Sequence, residues 1–387
     1  MLVSNFNNIQ NHFLLEEMEK LEAQDFVTKE QFNELKVSTI STKTNSNFLI
    51  RIGFFLLGNF LISSVLGFVA LFLSVLNDQN VIAICFMLAA IGSIVATEVL
   101  YDKNYFAYGF DDSFILSITL FFCVSVGFFT ESVIFVLFIL VLIASCCAVR
   151  YVHVPSILFS LIGLVGLIGY TVTEEKIIPS FYLPVLMFLI AFGLFFLQRQ
   201  LSQNIKYFIY TNVFLTIKIF SLILGYAALN YFDVRELSAG LLGLELLPNE
   251  EIPLAPLFYF ATFAIPIVYI FFGLKNKDRI FFWIGCLTFA LGFATIRYYH
   301  AILPIEVAFI LGGSVLFAIV YVSIRKIRNN TSGITFNEDK NLNPMAFDVV
   351  KAILINANVN TTTITANESP MEFGGGGFSG GGGGGSF

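Results

Sequence analysis

Charge is the scarcest thing in this sequence. Only 12% of its 387 residues are Asp, Glu, Lys or Arg, while 57% are hydrophobic. A soluble globular chain pairs about 25% charge with about 45–50% apolar residues. An ordinary water-facing surface is therefore excluded, whereas helices facing lipid need no polar exterior. The mean hydropathy of +0.82 points the same way. Tryptophan occurs once against 46 Phe, and Phe tolerates lipid contact. Cysteine is sparse: Cys85, Cys123, Cys146, Cys147 and Cys286 all lie in apolar runs, without a CxxC. That odd, unpaired set excludes a disulfide framework or a zinc site and reads as small residues packed in the membrane. Basic runs are missing and the net charge is −6, which excludes a nucleic-acid partner.

Catalytic motifs are missing too. The three histidines, His12, His153 and His300, are scattered. There is no HExxH, no GxSxG, no P-loop and no aspartate pair at membrane depth. No cofactor or metal is expected, and the reading is non-enzymatic. The opening residues lack the basic start and early apolar core of a signal peptide, so the first span is expected to act as an uncleaved insertion signal.

What is present is a series of apolar runs from Asn47 to Ile327, each about as long as the roughly 20 residues that cross a bilayer. The fold class is all-α, a polytopic transmembrane helical bundle of about ten spans. They are expected at Phe48–Leu76, Val81–Leu100, Asp112–Thr130, Ser132–Val149, Val154–Thr173, Ile178–Leu197, Tyr207–Phe232, Ile252–Leu274, Ile280–Tyr299 and Ile302–Ile324. Residues 1–46 form a helical arm and linker, 47–327 the membrane domain, and 328–387 a polar tail whose Gly-rich end is expected to be disordered. In the arm, Thr28-x-x-Gln31 is a capping box that opens a second short helix.

Basic residues fix the expected orientation. With ten spans and both termini inside, inner loops receive Lys43, Arg51, Lys103, Arg150, Arg199, Lys206, Lys275, Lys277 and Arg279, then Arg325, Lys326 and Arg328. Outer loops receive only Lys176, Arg235 and Arg297. The expected location is the bacterial inner (plasma) membrane, with both ends cytoplasmic and the lipid bilayer as the principal partner. The arm and the tail are candidate contacts for other proteins.

Small residues are expected to let helices approach closely. The candidates are Gly163, Gly166 and Gly169 on the fifth span, Ala89, Ser93 and Thr97 on the second, Ser63 and Gly67 on the first, and Gly285 with Gly292 on the ninth. Pro184 and Pro266 lie deep enough in the expected spans to kink them. Asp111 and Asp112 read as an N-terminal helix cap, and Glu98 as an interfacial residue.

An ionisable group in hydrocarbon costs about 2.5–3.5 kcal/mol on insertion scales. Lys218 is the candidate at depth, with Thr211, Ser221 and Gly225 on its helical face. Two readings stay open: the side chain snorkels to the inner interface, or it binds an anion or pairs with a carboxylate in a cavity. Arg297 and Glu306 flank the hairpin at Leu303-Pro304. They read as a salt bridge pinning it or as a substrate site at the outer mouth.

Leu21-x-x-x-Asp25-Phe26-Val27-Thr28-x-x-Gln31 and the closing Asp278-Arg279…Arg297-Tyr298-Tyr299…Leu303-Pro304-x-Glu306 resemble a family of bacterial polytopic membrane proteins of unknown function. Members of that family have a short N-terminal helical arm and tightly spaced spans. The tail Phe373-Gly374-Gly375-Gly376-Gly377-Phe378-Ser379-Gly380 is similar to the Gly-rich ends of several bacterial membrane proteins. The resemblance implies a fold and no activity. Three functions remain: an interaction protein of the membrane, a secondary transporter of a small solute with a site near Lys218, and a membrane enzyme acting on lipid. Ten spans with both ends inside suit two inverted five-helix halves, the layout of the drug/metabolite transporter superfamily. No match between the two halves is visible in the sequence.

Overall fold

The computed structural model describes residues 6–23, 27–38, 42–45, 47–73, 78–175, 179–242, 251–299 and scattered positions between 307 and 328. The tenth expected span lies almost entirely outside them. Glu306, His300, Pro304 and the Gly-rich tail lie outside them as well.

Two short helices open the chain, α1 (Phe6–Ala23) and α2 (Lys29–Ser38). The capping box forms as expected. Thr28 N–H donates to Gln31 Oε1 at 3.1 Å, and Gln31 N–H donates back to Thr28 Oγ1 at 3.3 Å. The long helices follow: α3 (Phe48–Leu73), α4 (Gln79–Asp102), α5 (Phe110–Thr130), α6 (Val133–Tyr151), α7 (Val154–Thr173), α8 (Leu183–Ser202) and α9 (Thr211–Ala227). A short helix, α10 (Tyr231–Leu242), precedes α11 (Ala255–Lys275) and α12 (Arg279–Tyr299). Nine of these, all but α1, α2 and α10, are long and apolar enough to cross a membrane. Among the described residues there is no strand, only an isolated bridge between Lys43 and Tyr105. The chain is an all-α, multi-pass membrane bundle.

Helices α4 and α5, α6 and α7, α8 and α9, and α11 and α12 pack as hairpins, with α7, α8, α11 and α12 against α9. Close approach uses small residues, as lipid-embedded packing requires. Gly163 lies against Leu140 and Val141 of α6, Gly285 against Ile270, and Gly292 against the Thr262 carbonyl. Hydroxyls cross between helices: Ser125 donates to the Ala83 carbonyl at 2.8 Å, and the Ser145 and Ser160 hydroxyls lie 2.7 Å apart. Gly67 and Gly169 face open space, so these two expected notches receive no neighbour among the described residues.

Two local expectations change. Pro184 occupies the first turn of α8, where its missing N–H is harmless, because a 3₁₀ turn at Ser180–Tyr182 delays the helix start. Pro266 does lie inside α11, buried. The expected seventh span stops at Ala227 because Asn230 begins a new helix. Its Oδ1 accepts the Phe232 and Asp233 N–H groups at 2.8 and 3.4 Å.

The arm is part of the core. Ile9, Leu14 and Met18 of α1 are buried, and Ile9 joins a cluster with Tyr101, Phe106, Ile115, Tyr151 and Ile209. Asn8 Nδ2 donates to Asn104 Oδ1 at 2.6 Å. The linker is tied to the α4–α5 loop: Lys43 N–H donates to the Asn104 carbonyl and Phe106 N–H to the Lys43 carbonyl, at 2.6 and 3.1 Å. The start of α3, the end of α4, the start of α5, the end of α6 and the start of α7 therefore meet beneath the arm.

Candidate functional site

At the arm face, α3 and α5 are locked by one bidentate pair. Arg51 Nε and Nη2 donate to Asp112 Oδ2 and Oδ1 at 2.6 and 2.9 Å. The fit depends on Gly109, whose φ is +107°, and a Cβ there would sit 2.2 Å from the Arg51 carbonyl oxygen. Only glycine meets both demands without strain. Asp111 Oδ1, one residue before Asp112, accepts the Tyr108 and Gly109 N–H groups at 2.9 and 3.0 Å. The carboxylate pair thus sits inside the first turn of α5, with Gly109 as the cap, and Asp111 reaches back to the cap as a capping box does.

His153 completes the floor. Its Nδ1 accepts the Ser156 N–H at 3.3 Å and caps α7. That bond assigns the ring proton to Nε2 in the neutral imidazole. Nε2 in turn faces Asp112 Oδ1 at 3.2 Å, within ion-pair reach but without the alignment of a formed hydrogen bond. Beside this floor, Glu98 Oε1 accepts from Arg150 Nε and from the Tyr151 hydroxyl at 2.6 and 2.7 Å, joining α4 to α6. Tyr101 donates its hydroxyl to the Tyr151 carbonyl at 3.0 Å.

Between this floor and the arm lies a cavity of about 930 Å³. His12 and Phe13 of α1 contribute to its lining, as do Thr42 of the linker, Phe55 of α3, and Asp111 and His153 of the floor. Among the described residues, four buried side-chain polar atoms have no hydrogen-bond partner: Thr42 Oγ1, Thr119 Oγ1, Asp111 Oδ2 and His153 Nε2. Three of those residues line this one cavity. They are 8%, 1% and 4% exposed for Thr42, Asp111 and His153. A buried acceptor without a partner costs about 1–3 kcal/mol, and more when charged, so such groups concentrate where something else is to be bound. On the arm side, burial pushes the His12 imidazole below its ordinary value, with Glu16 opposing.

The residues singled out by sequence are spread over the bundle. Lys218 pairs with Asp278, whose other oxygen accepts the Ile280 and Phe281 N–H groups at 3.1 and 3.4 Å at the start of α12. Its ammonium also lies 5.2 Å from the Phe281 ring centre. Ser221 is buried and donates to the Lys218 carbonyl at 2.8 Å. Thr211 is exposed in the first turn of α9 and donates to the Phe208 carbonyl, away from that pair. The structure brings Lys218 and Ser221 together and leaves Thr211 apart. Arg297 is half-buried near the end of α12, and its expected partner Glu306 lies outside the described residues.

The Arg51–Asp112–His153 floor and the free oxygen of Asp111 escaped sequence reasoning. The available signal was the Asp111-Asp112 doublet itself, which is costly at a span end unless partnered. Among the described residues, no cluster of His, Cys, Asp and Glu suits a metal ion. No family model, no curated protein and no solved structure matches this chain.

Proposed function

We propose that this is a non-enzymatic secondary transporter of a small solute, working in the plasma membrane of a bacterium with the arm face toward the cytoplasm. The observation that carries the reading is the 930 Å³ cavity, whose wall includes two buried residues with a polar atom lacking any hydrogen-bond partner, Thr42 Oγ1 and Asp111 Oδ2, and His153, whose Nε2 has only the poorly aligned contact with Asp112. Solute sites are concave, about 300–1,000 Å³ in volume, mostly apolar and fitted with a few placed polar groups. The membrane setting turns such a site toward transport, since the bundle that holds it also crosses the barrier. The chamber replaces Lys218 as the binding locus of this reading, because Lys218 already has Asp278. Orientation rests on the basic residues: Arg51, Lys103, Arg150, Arg199, Lys275 and Arg279 all fall at arm-side helix ends or loops. The arm then serves as the inner cover of the chamber.

A direct test exposes purified protein to the low-molecular-mass fraction of a cell extract and identifies retained solutes by mass spectrometry. Leu116, on the cavity wall, is replaced by Trp to fill the space. The expected result is a solute retained by the wild type, lost in Leu116→Trp, and moved across the membrane of proteoliposomes. Retention without movement rejects transport. Equal retention by the variant rejects the chamber.

A second reading, an interaction protein of the membrane, is favoured by one feature. Helix α3 is exposed or half-buried along nearly its whole length, with Leu56, Phe60 and Phe68 exposed. Cross-linking from these positions to a second protein, with no solute retained, would select it.

A further inference from the structure

We infer that the chamber selects an organic cation, held by the Asp111 carboxylate against aromatic walls; the inference rests on the chamber being a solute site. Asp111 and Asp112 bring two negative charges, and Arg51 brings one positive charge, committed to Asp112 through Nε and Nη2. His153 holds its Nε2 toward Asp112 as well. Asp111 is left with two backbone N–H donors on Oδ1 and nothing on Oδ2. The uncompensated charge of the floor is therefore negative and sits on a 1% exposed side chain of the cavity wall.

An anion would meet this charge unfavourably. The charge of the one guanidinium at the floor is already paired with the Asp112 carboxylate. A neutral solute would leave a buried charge unpaired, which is the costly outcome. A cation relieves it. The Thr42 hydroxyl adds a second free oxygen. The wall of the same cavity also carries Phe13, Phe48, Phe55, Tyr101 and Phe106. Aromatic faces attract a desolvated ammonium by roughly 0.5–2 kcal/mol each. The absence of a His/Cys/Asp/Glu cluster among the described residues turns the assignment from a metal ion to an ammonium. The volume admits an ammonium carrying a sizeable apolar body.

The test uses the full chain in detergent with a fluorescent reporter in the chamber. The one native Trp, Trp283, is exposed on α12 and is replaced by Phe, while Phe55 is replaced by Trp. Three probes of matched shape are titrated: benzyltrimethylammonium, benzyl alcohol and benzenesulfonate. The expected result is a saturable signal from benzyltrimethylammonium at concentrations where the other two are silent. Asp111→Asn, which keeps an oxygen for the Tyr108 and Gly109 N–H groups, is expected to weaken that binding by roughly tenfold or more. Its melting temperature serves as the folding control, and Thr42→Val is a second, milder variant. Equal binding of the three probes, or an Asp111→Asn protein that melts normally and binds unchanged, overturns the cation assignment and leaves the chamber standing. Silence from all three probes with a signal from cell extract does the same. Silence from the probes and the extract overturns both.

Discussion

His153 divides its two ring nitrogens between two helices. Nδ1 caps α7 through the Ser156 N–H at 3.3 Å, and Nε2 faces Asp112 Oδ1 of α5 at 3.2 Å. The two roles separate by substitution. His153→Ala removes both, and the cap alone is worth about 0.5–2 kcal/mol. Asn is a good N-cap but too short to reach Asp112. The expected order of stability is wild type, then His153→Asn, then His153→Ala, read from thermal melts in detergent. If Asn and Ala melt together, the cap contributes nothing and the Asp112 contact carries the effect.

Gly109 is expected to be irreplaceable. A left-handed φ of +107° and a Cβ 2.2 Å from the Arg51 carbonyl act together. The backbone strain alone costs about 1–3 kcal/mol, and the clash would displace α3 from α5. Gly109→Ala should therefore lower the melting temperature sharply and loosen the Arg51–Asp112 pair. Gly67→Ala is the control, since nothing lies within 4 Å of its Cβ position. Equal melting of the two variants would show that α3 and α5 can separate without cost.

The parts of this fold that depend on local pattern were legible in the sequence. Nine expected spans have counterparts among the described helices, because hydropathy marks each run and charged or polar residues mark most ends. The Thr28–Gln31 capping box could be read because its partners are three residues apart. The rest depends on distant partners. Arg51, Asp112 and His153 come from three segments, each unremarkable at a span end. Lys218 was visible as an anomaly, but Asp278 is sixty residues away and looked like a loop residue. Thr211 lies in the first turn of α9, where its hydroxyl bonds the Phe208 carbonyl of the preceding 3₁₀ turn, a local use that helical spacing alone does not reveal. Docking of α1 was invisible because the surface it covers is assembled from the ends of other helices.

The Lys218–Asp278 pair is expected to be structural. Asp278 works twice, pairing with Lys218 through Oδ2 and capping α12 through Oδ1. Asp278→Asn keeps the cap and loses the charge, whereas Asp278→Ala loses both, so Ala should be worse by about 0.5–2 kcal/mol. A double-mutant cycle of Lys218→Met with Asp278→Asn is expected to give a coupling of about 0.5–3 kcal/mol. Both side chains are partly exposed, which favours the lower half of that range. Unfolding in bicelles measures the cycle. Solute retention by Lys218→Met should match wild type. A loss of retention with normal stability would return Lys218 to the binding site.

Arm docking is expected to weaken in acid, and His12 sets the sign. Burial against Phe13 and Phe106 lowers its pKa in the docked state, while a released arm returns it to the ordinary value of 6.5. The released state then binds protons more readily, so protonation favours release. The contribution of neutral His12 to docking is complete above about pH 6.5 and is lost as pH falls through 6.5 toward the lowered docked value. Glu16 stabilises the charged ring and so makes the effect smaller than burial alone would. Spin labels at the exposed residues Glu19 and Gln203, in a cysteine-free background, report the distance between arm and bundle. The long-distance population should grow between pH 7 and pH 5. His12→Phe keeps the aromatic contact with Phe106 and carries no proton, so its distance distribution should stay constant over that interval. An unchanged distribution in the wild type, or an equal response in His12→Phe, would assign any acid sensitivity to groups other than His12.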